Sequence, residues 1–140
     1  MTDTRKQDET AALVYWTYSR DEWKTFLRWQ KMRKSFFHYV LHRLLAAQQL
    51  KTPGITITHN KISIDDNHEP FHDSERRLRR VNIRDAGNMN VMEISYESPG
   101  QKGILSNEIR IPVPKGKLRE AIGVQERLSN LIGRQQTREI

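Results

Sequence analysis

The spacing of apolar residues changes twice along this chain, and these changes constrain the fold more than any other feature. From Trp23 to Leu45, apolar residues recur every three or four positions, which is the period of an amphipathic helix. From Ile55 to Val113, short segments alternate between apolar and polar residues, which is the period of a strand. A helical period returns after Pro114. The order helix, strands, helix predicts an α+β fold.

The first predicted helix has a marked start and a marked end. Ser19 and Glu22 have the spacing of a capping box, in which each side chain satisfies a backbone amide of the other residue. The segment Thr52 to Gly54 contains Pro and Gly and ends the helical pattern. We therefore expect a long helix from about Arg20 to Gln49, preceded by a flexible tail over residues 1–12.

Turn-forming residues divide the alternating region into short strands. His59 and Asn60 separate two of them in a tight hairpin, and the stretch from Asp85 to Asn90 has the composition of a turn. Connections this short favour antiparallel neighbours, so we expect a meander of about five strands over residues 55–113. The five segments are Ile55–Thr58, Lys61–Ile64, Leu78–Ile83, Val91–Tyr96 and Ile104–Val113.

The C-terminal region predicts one more helix and completes a single domain. Pro112 and Pro114 end the last strand, and helical spacing follows over about residues 115–132. Gly133 is expected to end this helix, with residues 135–140 as a tail. A chain of 140 residues fits one domain, which we place at residues 13–134.

One stretch resembles a known family. The segment VNIRDAGNMNVMEI, from Val81 to Ile94, is followed by NEIRIPVP, from Asn107 to Pro114, and then by a helix. This resembles the bacterial YcxB-type branch of the pleckstrin-homology-like (PH-like) domains, in which antiparallel strands close on one C-terminal amphipathic helix. The resemblance implies a PH-like fold over residues 55–131, but it implies no particular activity. YcxB-type proteins usually carry hydrophobic membrane helices before this module, whereas this chain carries one polar-faced helix.

Positive charge is unevenly distributed. The chain has 24 Lys and Arg against 17 Asp and Glu, for a net charge of +7. This balance favours acidic partners such as an acidic protein face, nucleic acid or anionic lipid. From Trp23 to Ile64 there is no Asp or Glu, and the basic residues are Lys24, Arg28, Lys31, Arg33, Lys34, Arg43, Lys51 and Lys61.

One basic cluster lies on the first predicted helix. Lys24, Arg28 and Lys31 recur at helical spacing, and such a face fits phosphates, an acidic protein surface or plain solvent. Trp29 favours an interface, because aromatic residues and arginine are enriched at contacts, but it also fits a core. The candidate partner-binding or anion-binding residues here are Lys24, Arg28, Trp29, Lys31, Arg33 and Lys34.

A second basic cluster lies on the third predicted strand. Strict alternation would point Arg77 and Arg79 to one face and Leu78 and Arg80 to the other. Such a row either binds an anionic partner or protects an exposed sheet edge against aggregation. The candidate residues here are Arg76, Arg77, Arg79, Arg80 and Arg84.

Motifs with known catalytic chemistry are absent from the sequence. There is no Walker-type glycine loop, no G-x-S-x-G turn and no G-x-G-x-x-G motif after a strand. Asp65, Asp66 and Glu69 share one segment, where carboxylates are typical turn formers. We therefore expect no enzymatic activity and no catalytic residue.

Metal ligation is also not expected. The chain has no cysteine, which excludes thiolate sites and disulfides and is compatible with a reducing compartment. His38 and His42 have the four-residue spacing of a helical metal site, but no third ligand is evident. His68 and His72 lie in a predicted loop that contains Pro70. We expect no metal and no cofactor.

Together these patterns predict a non-catalytic protein-binding adaptor, or an assembly or regulatory factor. Its expected partner is another protein with an acidic face, bound through the basic, aromatic surface of the first helix, with self-association as a variant. A nucleic-acid-binding module and peripheral binding to anionic membrane remain alternatives. The first ten residues lack the apolar core of a signal peptide, and the stretch Phe36–Ala47 falls short of the roughly 20 residues that span a bilayer. We expect a cytoplasmic protein, with peripheral membrane contact as the alternative.

Overall fold

The computed structural model describes residues 11–31 and 52–138, over which two helices and seven strands form. The helices are α1 (Arg20–Lys31) and α2 (Leu118–Arg138). The strands are β1 (Val14–Trp16), β2 (Ile55–Ile57), β3 (Lys61–Ile64), β4 (Asn67–Pro70), β5 (Arg77–Asp85), β6 (Asn90–Gly100) and β7 (Gly103–Val113).

The strands form two antiparallel sheets within the described residues. Sheet A has the order β1-β2-β3-β4, and sheet B has the order β5-β6-β7. The predicted α+β class is confirmed. The predicted five-strand meander is corrected to seven strands in two sheets. The two unpredicted strands are β1, which pairs with the distant β2, and β4, whose polar residues carry no strand signal of their own.

Helix α1 starts at the predicted capping box. The backbone amide of Ser19 donates to Glu22 Oε1 at 2.9 Å, and the amide of Glu22 donates to Ser19 Oγ at 3.1 Å. The helix covers Arg20–Lys31. The remainder of the predicted helix, residues 32–49, lies outside the described residues.

The two sheets and both helices share one hydrophobic core. The buried residues of sheet A are mostly isoleucines, which alternate along β2 and β3, and those of sheet B lie opposite each other across β5, β6 and β7. The largest fully buried side chains are Trp16, Phe26, Ile55, Ile57, Ile62, Phe71, Leu78, Val91, Met92, Ile94, Ile111 and Leu128.

Helix α2 closes the domain against sheet B. Its buried stripe is Ala121, Val124 and Leu128, and it packs on β5, where Gln125 Nε2 donates to the Val81 carbonyl at 3.2 Å. The helix begins three residues later than predicted and continues past Gly133 to Arg138. A glycine inside a helix costs only about 1 kcal/mol, which favourable flanking residues offset.

Helix α1 is attached to the edge of sheet B. β7 is an edge strand, where Pro112 is tolerated because its nitrogen has no hydrogen to donate to a neighbouring strand. The Pro112 carbonyl accepts a hydrogen bond from the buried Tyr18 hydroxyl at 2.7 Å. From Tyr18 an aromatic series runs along α1, with ring centroids 5.5 Å apart to Trp23, 5.3 Å on to Phe26 and 6.1 Å on to Trp29.

Glu22 links the start of α1 to the loop between β7 and α2. Its second oxygen, Oε2, accepts the backbone amide of Lys115 at 2.7 Å. Burial by itself would raise the pKa of Glu22, but the hydrogen bonds from the Ser19 and Lys115 amides outweigh it and lower the pKa below its ordinary value of 4.5. The ionised carboxylate therefore stabilises the folded state.

Glu22→Gln is expected to lower the free energy of unfolding by about 1 to 2 kcal/mol at pH 7, because a charged acceptor of two backbone hydrogen bonds, from Ser19 and Lys115, is replaced by a neutral one. Since the folded-state pKa of Glu22 is depressed, its contribution is complete above the unfolded pKa and is lost as pH falls through the folded value. Urea unfolding at pH 7 and near pH 3 measures both effects.

Asp21→Asn is the matched control for this substitution. Asp21 is exposed in the same helical turn, and the substitution makes the same change of charge there. We expect Asp21→Asn to lower the free energy of unfolding by less than about 1 kcal/mol. An equal loss for the two variants would mean that only the charge near the helix start matters, and the link to Lys115 would have no role.

Candidate partner-binding surface

The strand register of sheet B places charged side chains on one face. Asn82, Glu93 and Arg110 are direct partners across β5, β6 and β7, so their side chains share that face. The opposite face carries the buried apolar partners, such as Val81, Ile94 and Ile109. We call the first of these the charged face, and it comprises Arg77, Arg80, Asn82, Arg84, Glu93, Glu97, Glu108 and Arg110.

A buried carboxylate organises the centre of the charged face. Arg84 Nε lies 3.1 Å from Glu93 Oε2, and Arg110 Nε lies 3.2 Å from the same oxygen. Asn82 Nδ2 donates to Glu93 Oε1 at 3.4 Å. The side chain of Glu93 is 3% exposed, so two guanidinium groups compensate a charge that water cannot reach.

Glu108 extends this network along β7. Its Oε2 lies 3.1 Å from Arg110 Nη2. Partial burial raises the pKa of the Glu108 carboxyl above its ordinary value, the Arg110 guanidinium opposes that shift, and the nearby Glu93 carboxylate adds to it. Because the folded-state pKa is raised, the contribution of Glu108 to stability is lost as pH rises through that value.

Helix α1 reaches the same network through Trp29. The guanidinium carbon of Arg110 lies 5.8 Å from the centroid of the Trp29 ring, a cation–π arrangement. A continuous series of contacts therefore runs from α1 through Arg110 and Glu93 to Arg84 on β5. These contacts hold the C-terminal turn of α1, which contains Trp29, against the charged face. Trp29 is partly buried against the hydrophobic core, so its core role accompanies its polar contact.

A β-bulge corrects the predicted orientation of the arginines on β5. Leu78 pairs with Tyr96 and Arg80 pairs with Ser95, so Arg79 is an extra residue in the ladder. The bulge interrupts the strict alternation, with the result that Arg80 continues the face of Arg77. Arg79 reaches the same face, because its Nε lies 3.6 Å from Glu97 Oε1. We call Arg77, Arg80 and Arg84 the arginine row.

The predicted basic residues divide into ion-paired and exposed members. Arg76 pairs with Asp73 at 3.0 Å, Arg79 pairs with Glu97 at 3.6 Å, and Arg84 pairs with Glu93. Exposed ion pairs such as the first two contribute little to stability. The side chains of Lys24, Arg28 and Arg80 are exposed. Lys31 is the last residue of α1, and Arg33 and Lys34 lie outside the described residues.

The interpretation of the arginines as edge protection also has structural support. β5 lies at the edge of sheet B, and charged side chains together with a bulge are two devices by which proteins blunt such edges. Protection of the edge and binding of an acidic partner are compatible uses of the same residues.

Sequence reasoning missed the residues at the centre of the charged face, which are Asn82, Glu93, Glu108 and Arg110. A signal for them was present. The turn between β6 and β7 joins Gly100 to Gly103, and counting outward from it pairs Glu93 with Arg110. Counting from the Asp85 to Asn90 turn pairs Glu93 with Asn82. Hairpin register therefore identifies the cluster once the turns are correctly placed.

A separate groove of about 410 Å³ lies where the start of α1 meets the turn between β5 and β6 and the loop before α2. None of the sequence-predicted site residues lines it, so we place the candidate surface on the charged face. The lining residues include Asp21, Thr25, Asn88, Met89, Val113 and Leu118.

No family model, no curated protein and no solved structure matches this chain. Within residues 11–31 and 52–138, no three histidine or acidic side chains converge as a metal site would require. Over the same residues, neither helix has the length and apolar character needed to cross a bilayer.

Proposed function

We propose that this protein is a non-catalytic adaptor, or an assembly or regulatory factor, which binds an acidic surface of another protein. The binding surface comprises the arginine row together with Lys24 and Arg28 of α1. A PH-like architecture is part of the proposal, because antiparallel strands followed by one C-terminal helix have the order of that fold. We also propose a cytoplasmic location.

The observation that carries the proposal is the way in which Arg84 is held. Its Nε is bonded to the buried carboxylate of Glu93, and its side chain is 39% exposed. That bond is made by Nε, and the two terminal nitrogen atoms of the guanidinium take no part in it. A guanidinium fixed through Nε on a partly exposed side chain suits recognition of a carboxylate, and it loses little conformational entropy on binding.

The spacing of the row supports an extended acidic partner. Arg84, Asn82 and Arg80 project from one face at alternate positions of a strand, about 7 Å apart along the backbone. Exposed arginines in the company of an aromatic side chain such as Trp29 match the composition of protein interfaces. Lys24 and Arg28, one helical turn apart on α1, extend the positive field.

Charge reversal tests the proposal. In a pull-down at near-physiological salt, the triple variant Lys24→Glu, Arg28→Glu, Arg80→Glu should retain about tenfold less of the bound protein than the native chain. All three side chains are exposed, so the fold should be unaffected. Unchanged retention would remove this surface from the proposal.

The matched control makes the same change of net charge elsewhere. Lys117, Arg119 and Arg127 are exposed on or beside α2, and reversing all three should leave the bound protein unchanged. Nuclease treatment and flotation with anionic vesicles separate the alternatives. Loss of all partners with nuclease would favour nucleic acid, and retention on vesicles alone would favour membrane.

A further inference from the structure

The hairpin formed by β6 and β7 projects beyond the rest of sheet B. β5 pairs with β6 only as far as Glu97, so residues 98–105 form a two-stranded ribbon with no third strand among the described residues. Near its tip, Ile104 is 72% exposed and Leu105 is 54% exposed. Apolar side chains this exposed on a strand indicate a contact surface.

The backbone of β7 presents hydrogen-bonding groups on its outer side. The carbonyl of Pro112 accepts its bond from Tyr18 and not from β6, so it points away from the sheet. Because alternate residues of a strand point the same way, the N–H and C=O groups of Ile104, Ser106 and Glu108 also point outward. Pro99, which has no N–H to donate to a neighbouring strand, lies opposite Ile104 and agrees with this assignment.

Three stretches of edge in sheet B differ in how they are protected. β5 carries arginines and a bulge, and in the second half of β7 the outward carbonyl of Pro112 is bonded to the Tyr18 hydroxyl. The first half of β7, Gly103–Ser106, has no charged residue, proline or bulge. Native edges without such protection normally have a strand partner.

We propose that this edge pairs with the same edge of a second copy of the chain, in antiparallel register about Leu105. The outward N–H and C=O groups of one copy must bond those of the other. Ile104 therefore lies opposite Ser106 of the second copy, and Leu105 lies opposite Leu105 of the second copy. Continued past the start of β7, this register brings Lys102, in the adjoining turn, near Glu108 of the second copy, twice by symmetry. The result is a continuous six-stranded sheet with both charged faces on one side.

Charge selects this register over its neighbours. A shift of two residues toward the C-terminus would place Lys102 opposite Arg110 of the second copy, which is a like-charge pair. A shift of two residues the other way would move Glu108 out of the pairing altogether. The contact involves few residues, so we expect a weak dimer that dissociates in the micromolar to millimolar range. The inference is independent of any partner of the arginine row.

The absence of cysteine from the chain allows a direct test by disulfide trapping. In a glutathione redox buffer, Leu105→Cys should form a disulfide-linked dimer about tenfold faster than Ser129→Cys, an exposed control on α2. Ser106→Cys should be slower than Leu105→Cys, because residue 106 does not face its own counterpart. Equal rates for Leu105→Cys and Ser129→Cys would overturn the proposal, and fastest trapping at Ser106→Cys would overturn the register.

Sedimentation of the native chain provides a second measurement that requires no new thiol. The weight-average mass should rise with concentration, and Lys102→Glu, a change in an exposed turn, should weaken association severalfold. A native chain that stays monomeric to millimolar concentration would overturn the proposal. The proposal would also be overturned if the protein stayed monomeric and Leu105→Cys formed a disulfide only with a different protein. In that case the strand that pairs with β7 would come from another protein.

Discussion

Replacing Glu93 by glutamine should lower the free energy of unfolding by about 3 to 5 kcal/mol, the largest loss we expect from a substitution that keeps side-chain volume. The carboxylate is buried between Arg84 and Arg110 and accepts from Asn82. Glutamine has nearly the same shape but no charge, so Arg110, itself only 10% exposed, loses its principal counter-charge. Removing one member of a buried ion pair is costly because the remaining charge stays desolvated.

Glu97→Gln is the control for this prediction. Glu97 lies on the same strand and the same face, but its partner Arg79 is 3.6 Å away and both side chains are substantially exposed. We expect a loss within about 1 kcal/mol. Chemical denaturation at pH 7 measures both variants, and comparable losses would contradict the organising role of Glu93. A double-mutant cycle with Arg110→Met measures the coupling directly.

Replacing Phe26 by alanine should cost about 3 to 5 kcal/mol as well, for a different reason. Phe26 is completely buried, and its ring lies between those of Trp23 and Trp29. Its removal leaves a cavity beneath α1 and loosens Trp29, whose ring contacts Arg110 on the charged face. Destabilisation should therefore reach sheet B as well as the helix.

Thr25→Ala is the control for Phe26, because Thr25 is a half-buried neighbour in the same helical turn. Its expected cost is below about 1 kcal/mol. Hydrogen exchange of the Phe26 variant should show faster exchange in β7 as well as in α1. If α1 alone exchanged faster while the unfolding midpoint stayed unchanged, α1 would be an independent unit and the proposed contact between helix and sheet would carry no stability.

Local patterns determined much of this structure. The capping box predicted the start of α1 at Arg20. The turns at His59-Asn60 and Asp85 to Asn90 predicted the hairpins β2–β3 and β5–β6. The residues that form each of these signals lie within four or five positions of each other, so their effect does not depend on contacts with the rest of the chain. The α+β class followed from the changes in apolar spacing along the chain, together with these signals.

Other features depended on residues far apart in sequence. β1 exists because it pairs with β2 across residues 17–54, and β4 exists because the turn at Asp65 returns a polar segment along β3. Neither segment has enough alternation to be recognised alone. The bulge at Arg79 arises from the pairing of β5 with β6, and a shift of one residue in a strand exchanges its two faces.

In the candidate surface, too, some features are evident from local sequence and others depend on distant contacts. Composition and spacing identified the basic residues of α1 and β5 from the sequence, since runs of one charge are visible in any window. Only tertiary structure decided that Arg84 is held by a buried Glu93, that Arg110 joins them to Trp29, and that the tip of β7 has an unprotected edge. Burial, which sets the strength of each charge interaction, is a property of the packed chain and not of any segment within it.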